Sequence, residues 1–426
     1  MVHAARAFPP VAVGRYALCG EIASGGMATI YAGRLLEADD TSRVFAIKRL
    51  HPHLAKSPEF VAMFLDEARV AARIRHPNVV SIIDVVSQDD ELLLVMDYIE
   101  GESLSRLLGS SSDGRRRIPP EIAVRIMADV LEGLHAAHEI TDDAGAPLGV
   151  VHRDVSPQNV LVGRDGISHL IDFGVAKAAG RLHVTKDGAI KGKIAYMAPE
   201  QIRGTVDRRA DVYAASTVLW EMLVGRRLFP GMETQVIFQV LNGQIEAAGT
   251  LVPGIPKALD AAIMKGLSKD PERRYANALQ MAEVIKRAVR LASAEEVAQW
   301  IDGIAHNALV RRAEAVRQAL AGELRADANG QAVSRGSSSF GSAPDWGARA
   351  PLGSGSDANR PGPAAIASSG PIRVPGAPPP AAPPAPVVSA PPAPSPRSDS
   401  RWVTLAMLFV AMSLLAFAIA YYLFSR

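Results

Sequence analysis

The chain has 426 residues, enough for two or three domains, with 48% hydrophobic and 21% charged residues. Its 46 Lys and Arg against 44 Asp and Glu leave a net charge of +2, which excludes a generally basic nucleic-acid coat and an acidic solvating chain. A single cysteine, Cys19, excludes an intramolecular disulfide and any Cys-cluster metal site.

Residues 1–14 carry no apolar run behind a basic start. No secretory signal is therefore expected, and 1–15 reads as an N-terminal arm in the cytosol. Alternating apolar patterns predict strands at 16–22, 29–36, 44–49, 79–87 and 91–98. One helix interrupts them. It opens at Ser57-Pro58-Glu59, where a cap residue, a first-turn proline and an acid at the positive dipole end coincide, and should end near Ile74. From Pro120 helical periodicity takes over, at 120–139, 207–225 and 274–291. The stretch 140–148, with its Asp142-Asp-Ala-Gly145, predicts an exposed hairpin. Ser293-Ala-Glu-Glu296 has capping-box spacing and opens a further helical extension within 292–326.

Sixteen of the 30 prolines fall in 327–401, where no aromatic residue follows Trp346. Such a stretch cannot bury enough surface to offset the entropy of ordering it, so a disordered Pro/Ala/Ser/Gly-rich linker is expected. Residues 402–424 are uncharged. As a helix they span roughly 34 Å, enough for a hydrocarbon core of about 30 Å. Trp402, Tyr421 and Tyr422 sit at the ends of this run, where amphipathic rings favour the interface. A transmembrane helix is expected, with nothing folded beyond Ser425 and Arg426.

The stretch Ile22-Ala23-Ser24-Gly25-Gly26-Met27-Ala28-Thr29-Ile30 places two glycines in a turn between strands, where backbone N–H groups can approach phosphates. By itself a plain hairpin is the better reading, since the Lys-Ser/Thr ending of a nucleotide P-loop is missing. Lys48 lies one strand later, in Phe45-Ala-Ile-Lys48, and Glu67 follows on the predicted helix. Each alone reads as a solvated surface residue; together they can form a pair that holds nucleotide phosphates. Cys19 reads as a small packed thiol, and His51 and His53 lack further ligands for a metal. Farther on stand His152-Arg-Asp-Val-Ser-Pro-Gln-Asn159, Asp172-Phe-Gly174 and Ala198-Pro-Glu200.

With these motifs in this order, residues 16–291 resemble the eukaryotic-type (Hanks-type) Ser/Thr protein kinase family, in wording most similar to bacterial, particularly myxobacterial, members. The resemblance implies an α+β bilobal fold, a strand-rich lobe followed by a helical one. It implies transfer of the ATP γ-phosphate to protein Ser/Thr hydroxyls with Mg²⁺ or Mn²⁺. Lys48, paired with Glu67, would hold the α- and β-phosphates under the loop 22–30. Asp154 would accept the hydroxyl proton, and Asn159 and Asp172 would hold the metal. Met96 would gate the adenine pocket, with the Asp97 carbonyl and the Ile99 N–H at the adenine edge. Glu200 with Arg274 would form a buried ion pair, and Asp211 would brace the catalytic loop.

Four positions depart from the family pattern. Its first and third loop glycines are Ala23 and Ala28, whose methyl groups are expected to restrict positive φ and crowd the phosphates. Its catalytic-loop Lys is Ser156, and the Thr before Ala-Pro-Glu is Lys193. A reciprocal exchange is expected, with Lys193 reaching the γ-phosphate and Ser156 taking the hydrogen-bonding place of the Thr. The alternative is loss of both functions, leaving a catalytically weak or silent nucleotide-binding pseudokinase scaffold. Arg153 beside Asp154 implies dependence on an anion from the activation segment, where Thr185 is the autophosphorylation candidate. The whole reads as a kinase facing the cytosol, held at the cytoplasmic (inner) membrane by a single C-terminal pass. Its expected partners are protein substrates, ATP, the bilayer at 402–424 and a second copy of the chain, with no nucleic acid.

Overall fold

The computed structural model describes residues 7–36, 43–88, 91–109, 116–173 and 193–321. Thr185, the stretch 327–401 and the apolar run 402–424 lie outside them. Among the described residues no helix is long and apolar enough to cross a membrane.

The first lobe is a six-stranded antiparallel sheet: β1 (Ala7–Val13), β2 (Tyr16–Ser24), β3 (Ala28–Leu35), β4 (Phe45–Leu50), β5 (Ile82–Gln88) and β6 (Glu91–Asp97), in the order β1-β2-β3-β4-β6-β5. Helices α1 (Pro52–Ala55) and α2 (Pro58–Arg73) lie between β4 and β5 in sequence. Period-two alternation sorts the side chains. Tyr16, Leu18, Phe45, Ile47, Leu93 and Val95 form one cluster, while Leu50, Leu92, Leu94 and Met96 pack with Phe64 and Ala68 of α2. Strand β6 is buried on both faces, which is why its run Leu92-Leu-Leu-Val-Met96 does not alternate with polar residues. Helix α2 begins with Pro58 and Glu59 as expected, but the Ser57 side chain makes no capping bond.

Residues 7–13 are not a bare arm. They form β1, in register Val11↔Leu18 and Val13↔Tyr16. Pro9 and Pro10 suit an edge strand, where a missing donor costs no ladder bond on the open side.

The second lobe opens with β7 (Gly101–Ser103), α3 (Leu104–Leu108) and α4 (Pro120–His138). Next come β8 (Val160–Gly163) and β9 (Ser168–Leu170), in a sheet of order β7-β8-β9. Helices α5 (Pro199–Arg203), α6 (Arg209–Val224), α7 (Glu233–Asn242), α8 (Ala248–Leu251), α9 (Lys257–Gly266), α10 (Ala278–Ala288) and α11 (Ala294–Leu320) follow. Every residue of α6 from Ala210 to Val224 is buried, the mark of a helix through the middle of a core. Two of its polar members are satisfied within the helix: Ser216 and Thr217 donate to the carbonyls of Val212 and Tyr213.

Helix α10 starts at Ala278 rather than 274. Pro271–Arg273 forms a 3₁₀ turn, and Asn277 then caps α10 by accepting the Gln280 N–H at 2.9 Å. The expected hairpin forms, with Thr141 paired to Pro147, and Arg73 of α2 reaches Asp143 on it at 2.9 Å. The capping box of α11 is formed: Ser293 Oγ accepts from the Glu296 N–H, and Glu296 accepts from the Ser293 N–H. Gly166 (φ +81°) makes room for this helix, since a Cβ there would lie 1.8 Å from the Ala294 carbonyl oxygen.

Candidate active site

The loop 152–159 is held from beneath by Asp211 at the start of α6. Its carboxylate accepts the N–H groups of His152 and Arg153, both at 2.8 Å, and contacts His138 Nε2 at 2.7 Å. Burial alone would raise the Asp211 pKa, but these partners outweigh it and hold the carboxyl below its ordinary range. The same contacts pin Arg153 at φ 63°, a left-handed conformation that a bulky residue adopts only when its surroundings impose it. Gln201 adds a donor to the Arg153 carbonyl at 2.9 Å.

His152 is fully buried. Its Nε2 donates to the Ile171 carbonyl at 3.2 Å, and its Nδ1 accepts the Asp154 N–H at 3.3 Å. Burial pushes its pKa down, so the ring is neutral at pH ~7 and locks the loop against the segment before Asp172. Asn159 closes the loop: its Nδ2 donates to the Asp154 carbonyl at 2.8 Å, and its own carbonyl accepts the Ile171 N–H at 3.0 Å.

This scaffold brings four charged groups together. Lys48, from β4 of the small lobe, donates to Asp172 Oδ1 at 2.8 Å. Lys193, just before Ile194–Tyr196, donates to Asp154 Oδ2 at 2.6 Å. Burial tends to raise the Asp172 pKa, but the ammonium groups of Lys48 and then Lys193 prevail and keep it lowered. Asp172 is also left-handed, at φ 55°, the second strained non-glycine among the described residues. Glu67 lies on α2 in sequence, with its side chain outside the described residues.

The loop 22–30 is the β2–β3 hairpin, closed by the Gly25 N–H donating to the Ala28 carbonyl at 2.9 Å. Ala23 pairs with Ile30 and Ala28 with Leu50, both as strand residues; neither has positive φ, so the expected backbone restriction does not arise. The spacing of His51 had no functional signal, yet this residue anchors the loop. Its N–H donates to the Met27 carbonyl at 2.9 Å, and its Nε2 lies 3.2 Å from Thr29 Oγ1, which in turn contacts Ser24 Oγ at 3.2 Å. Met96 is buried in β6, and the Asp97 carboxylate accepts from Arg43 at 3.1 Å.

Ser156 departs from expectation. It is 1% exposed, and its hydroxyl has no hydrogen-bond partner among the described residues, so it does not stand in for a Thr donor. Its backbone is what the loop uses, through its carbonyl accepting the Asn159 N–H at 2.9 Å. Glu200 and Arg274 form a bidentate buried pair at 2.6 and 2.7 Å, and Arg274 also donates to the carbonyls of Ser268 and Arg209.

The donor set fits a hard cation. Asp172 offers a carboxylate and Asn159 an amide oxygen, while no cluster of three or more His, Cys, Asp or Glu suited to a metal occurs among the described residues. That suits a divalent cation which keeps waters and shares its shell with substrate phosphates.

The family model described as a protein kinase domain matches residues 16–287. Tyrosine-protein kinase MasK of Myxococcus xanthus is 42% identical over 275 residues, 64% of this chain and 43% of MasK. Serine/threonine-protein kinase PknL of Mycobacterium tuberculosis is 34% identical over 286 residues, 67% of each chain. Serine/threonine-protein kinase PrkC of Bacillus subtilis is 33% identical over 277 residues, 65% of this chain and 40% of PrkC. The matches thus span less than half of MasK and PrkC. A crystal structure of a double mutant of the Mycobacterium tuberculosis PknI kinase domain superposes with TM-score 0.50 and 23% identity, covering 65% of this chain and 97% of that one, a likeness of fold alone. With the small strand-rich lobe, the helical lobe and the motifs between them all in place, the chain belongs to the protein kinase domain family.

Proposed function

We propose that the protein is an ATP-dependent serine/threonine protein kinase. The observation that carries this reading is the convergence of Lys48, Asp172, Asp154 and Lys193 on one another across 2.6–2.8 Å contacts, with Asn159 tied to the Asp154 carbonyl. Phosphoryl transfer asks little covalent chemistry of a protein; positioning and charge stabilisation dominate. Lys48 holds the α- and β-phosphates, with Glu67 as its partner from α2. Asp154 orients the acceptor hydroxyl and takes its proton. Asn159 and Asp172 would hold the divalent cation, Mg²⁺ in this reading, which when bound would supply charge neutralisation at the phosphates. Lys193 shifts from Asp154 toward the γ-phosphate when nucleotide enters, replacing the ammonium that Ser156 lacks. Thr185 is the residue whose phosphorylation supplies an anion to Arg153.

The Pro-rich stretch 327–401 and the uncharged run 402–424 support a tether and a single-pass anchor in the cytoplasmic membrane, with the catalytic lobes in the cytosol. Fractionation of the full chain against one ending at residue 401 tests the anchor; both forms appearing in the soluble fraction would refute it.

The test of activity is incubation of the full chain with Mg-ATP, followed by phosphoamino-acid analysis and site mapping, with Asp154→Asn alongside. Phosphoserine or phosphothreonine in the wild type alone supports the proposal, and phosphate on Thr185 supports its activating role. No transfer by either form would favour the silent scaffold. Phosphotyrosine alone would reassign the acceptor, the activity printed in the name of MasK.

A further inference from the structure

Helix α11 lies outside residues 16–287, the part matched to the family, yet it packs against both lobes. Its 27 residues span about 40 Å. The first half belongs to the large lobe. Arg290 forks onto Glu296 of the capping box at 3.1 and 3.0 Å, Ala294 abuts Gly166, and Val297, Ile301 and Leu309 join the large-lobe core. The last turn belongs to the small lobe, where Ala319 and Leu320 pack with Ala17 and Cys19 of β2 and with Leu36.

Between these ends Arg312 grips β7, the strand with which the chain enters the large lobe. Its Nη1 donates to the Gly101 carbonyl at 2.6 Å and its Nη2 to Glu102 Oε2 at 2.7 Å. The Glu102 side chain is 5% exposed, and its other oxygen accepts the Ser103 N–H at 2.9 Å. Gly101 is hemmed in on the opposite side, since a Cβ there would lie 2.3 Å from the Val162 carbonyl oxygen. The peptide at 101–102 is therefore held between β8 and α11.

We infer that Arg312 is a positioning residue for nucleotide binding, acting by fastening α11, whose last turn packs on the small lobe, to β7 where the chain enters the large lobe. The inference rests on the kinase reading, because the strapped segment follows Asp97 and Ile99, the adenine edge in that reading. Holding Gly101 and Glu102 sets the spacing at which Lys48 of the small lobe and Asp172 of the large lobe close on the phosphates. Docking of α11 and closure on nucleotide are then coupled, and the coupling is reciprocal. Nucleotide holds the last turn of α11 down, and a loosened α11 weakens nucleotide. The chain carries its own reporter: Cys19, its single cysteine, is 0% exposed beneath that turn.

The experiment uses the full chain and measures the KM for ATP, kcat, melting temperature, and the rate at which a small maleimide labels Cys19 with and without Mg-ADP. In wild type, Mg-ADP is expected to slow labelling several-fold. Arg312→Ala is expected to raise the KM for ATP roughly tenfold with little change in kcat, and to abolish the protection by Mg-ADP. Arg312→Lys keeps one donor and should fall between; it decides the matter if Arg312→Ala melts early. Unchanged KM and unchanged protection in both variants would overturn the inference. So would a fall in kcat that tracks a lowered melting temperature at constant KM, which is a purely structural effect. A wild type with neither transfer activity nor Mg-ADP protection would refute the kinase reading and the inference with it.

Discussion

The Lys193 ammonium lies 2.6 Å from the Asp154 carboxylate, although the residues are 39 positions apart. In the proposed kinase this ammonium, from the activation segment, would replace the one that Ser156 lacks. Charge at a transferring phosphoryl group is worth several kcal/mol in a site that excludes water. Lys193→Ala should therefore lower kcat by roughly 10- to 1000-fold, or about 1.4–4 kcal/mol, and Lys193→Arg should restore part of it. A kcat near wild type in Lys193→Ala, measured at saturating ATP, would show that Lys193 has no part in transfer.

Ser156 contributes differently. Its buried hydroxyl has no partner among the described residues, which costs free energy rather than supplying it, so Ser156→Ala should leave stability unchanged or raise it by about 1 kcal/mol. A double-mutant cycle tests the exchange itself: Ser156→Lys should rescue Lys193→Thr by more than the two effects summed. Strict additivity would mean that the two positions do not substitute for each other.

Asp211 accepts two backbone N–H groups and faces His138, whereas an amide offers a single oxygen. Asp211→Asn should cost about 2–4 kcal/mol in a denaturant titration and release Arg153 from its left-handed conformation. Activity should fall further than the loss of folded enzyme explains. A variant with wild-type stability and kcat would contradict the bracing role.

Burial pushes the Asp129 carboxyl up to about 6, against the Ser168 N–H and Arg125, which hold it down. Its folded pKa lies above the ordinary 3.8, so the folded protein binds this proton more tightly than the unfolded chain. That stabilisation is full below the ordinary value and is lost as pH rises through about 6. Asp172 and Asp211 act in the opposite sense, favouring folding above the ordinary carboxylate range and losing that effect as pH falls below it. The stability of wild type relative to Asp129→Asn should therefore increase by about 1.3 kcal/mol between about pH 7 and about pH 5, and by about 3 kcal/mol in all once the pH is below the ordinary value. Thermal melts showing a constant difference across that window would count against the shift.

Gly166 is left-handed and lies against the first turn of α11. Gly166→Ala should destabilise the protein by about 1–3 kcal/mol, through backbone strain and displacement of Ala294. An unchanged melting temperature would show that the turn and helix can part freely.

The elements themselves were legible along the chain. Apolar patterning marked the strands from β2 to β6, the last as an unbroken apolar run, Pro58 and Glu59 marked the start of α2, and Ser293 with Glu296 marked that of α11. The order of Lys48, His152–Asn159, Asp172 and Ala198–Glu200 identified the family. Each of these signals is confined to a few neighbouring residues, because caps, turns and helical or strand periods are local properties of the backbone. Tertiary structure decided which side chains meet. It made residues 7–13 a sixth strand, left the Ser156 hydroxyl without a partner among the described residues, tied His51 to the glycine-bearing loop and carried Arg312 to Gly101, 211 positions away. Such meetings depend on strand register and helix packing summed over the whole domain, and no local pattern in the sequence encodes them.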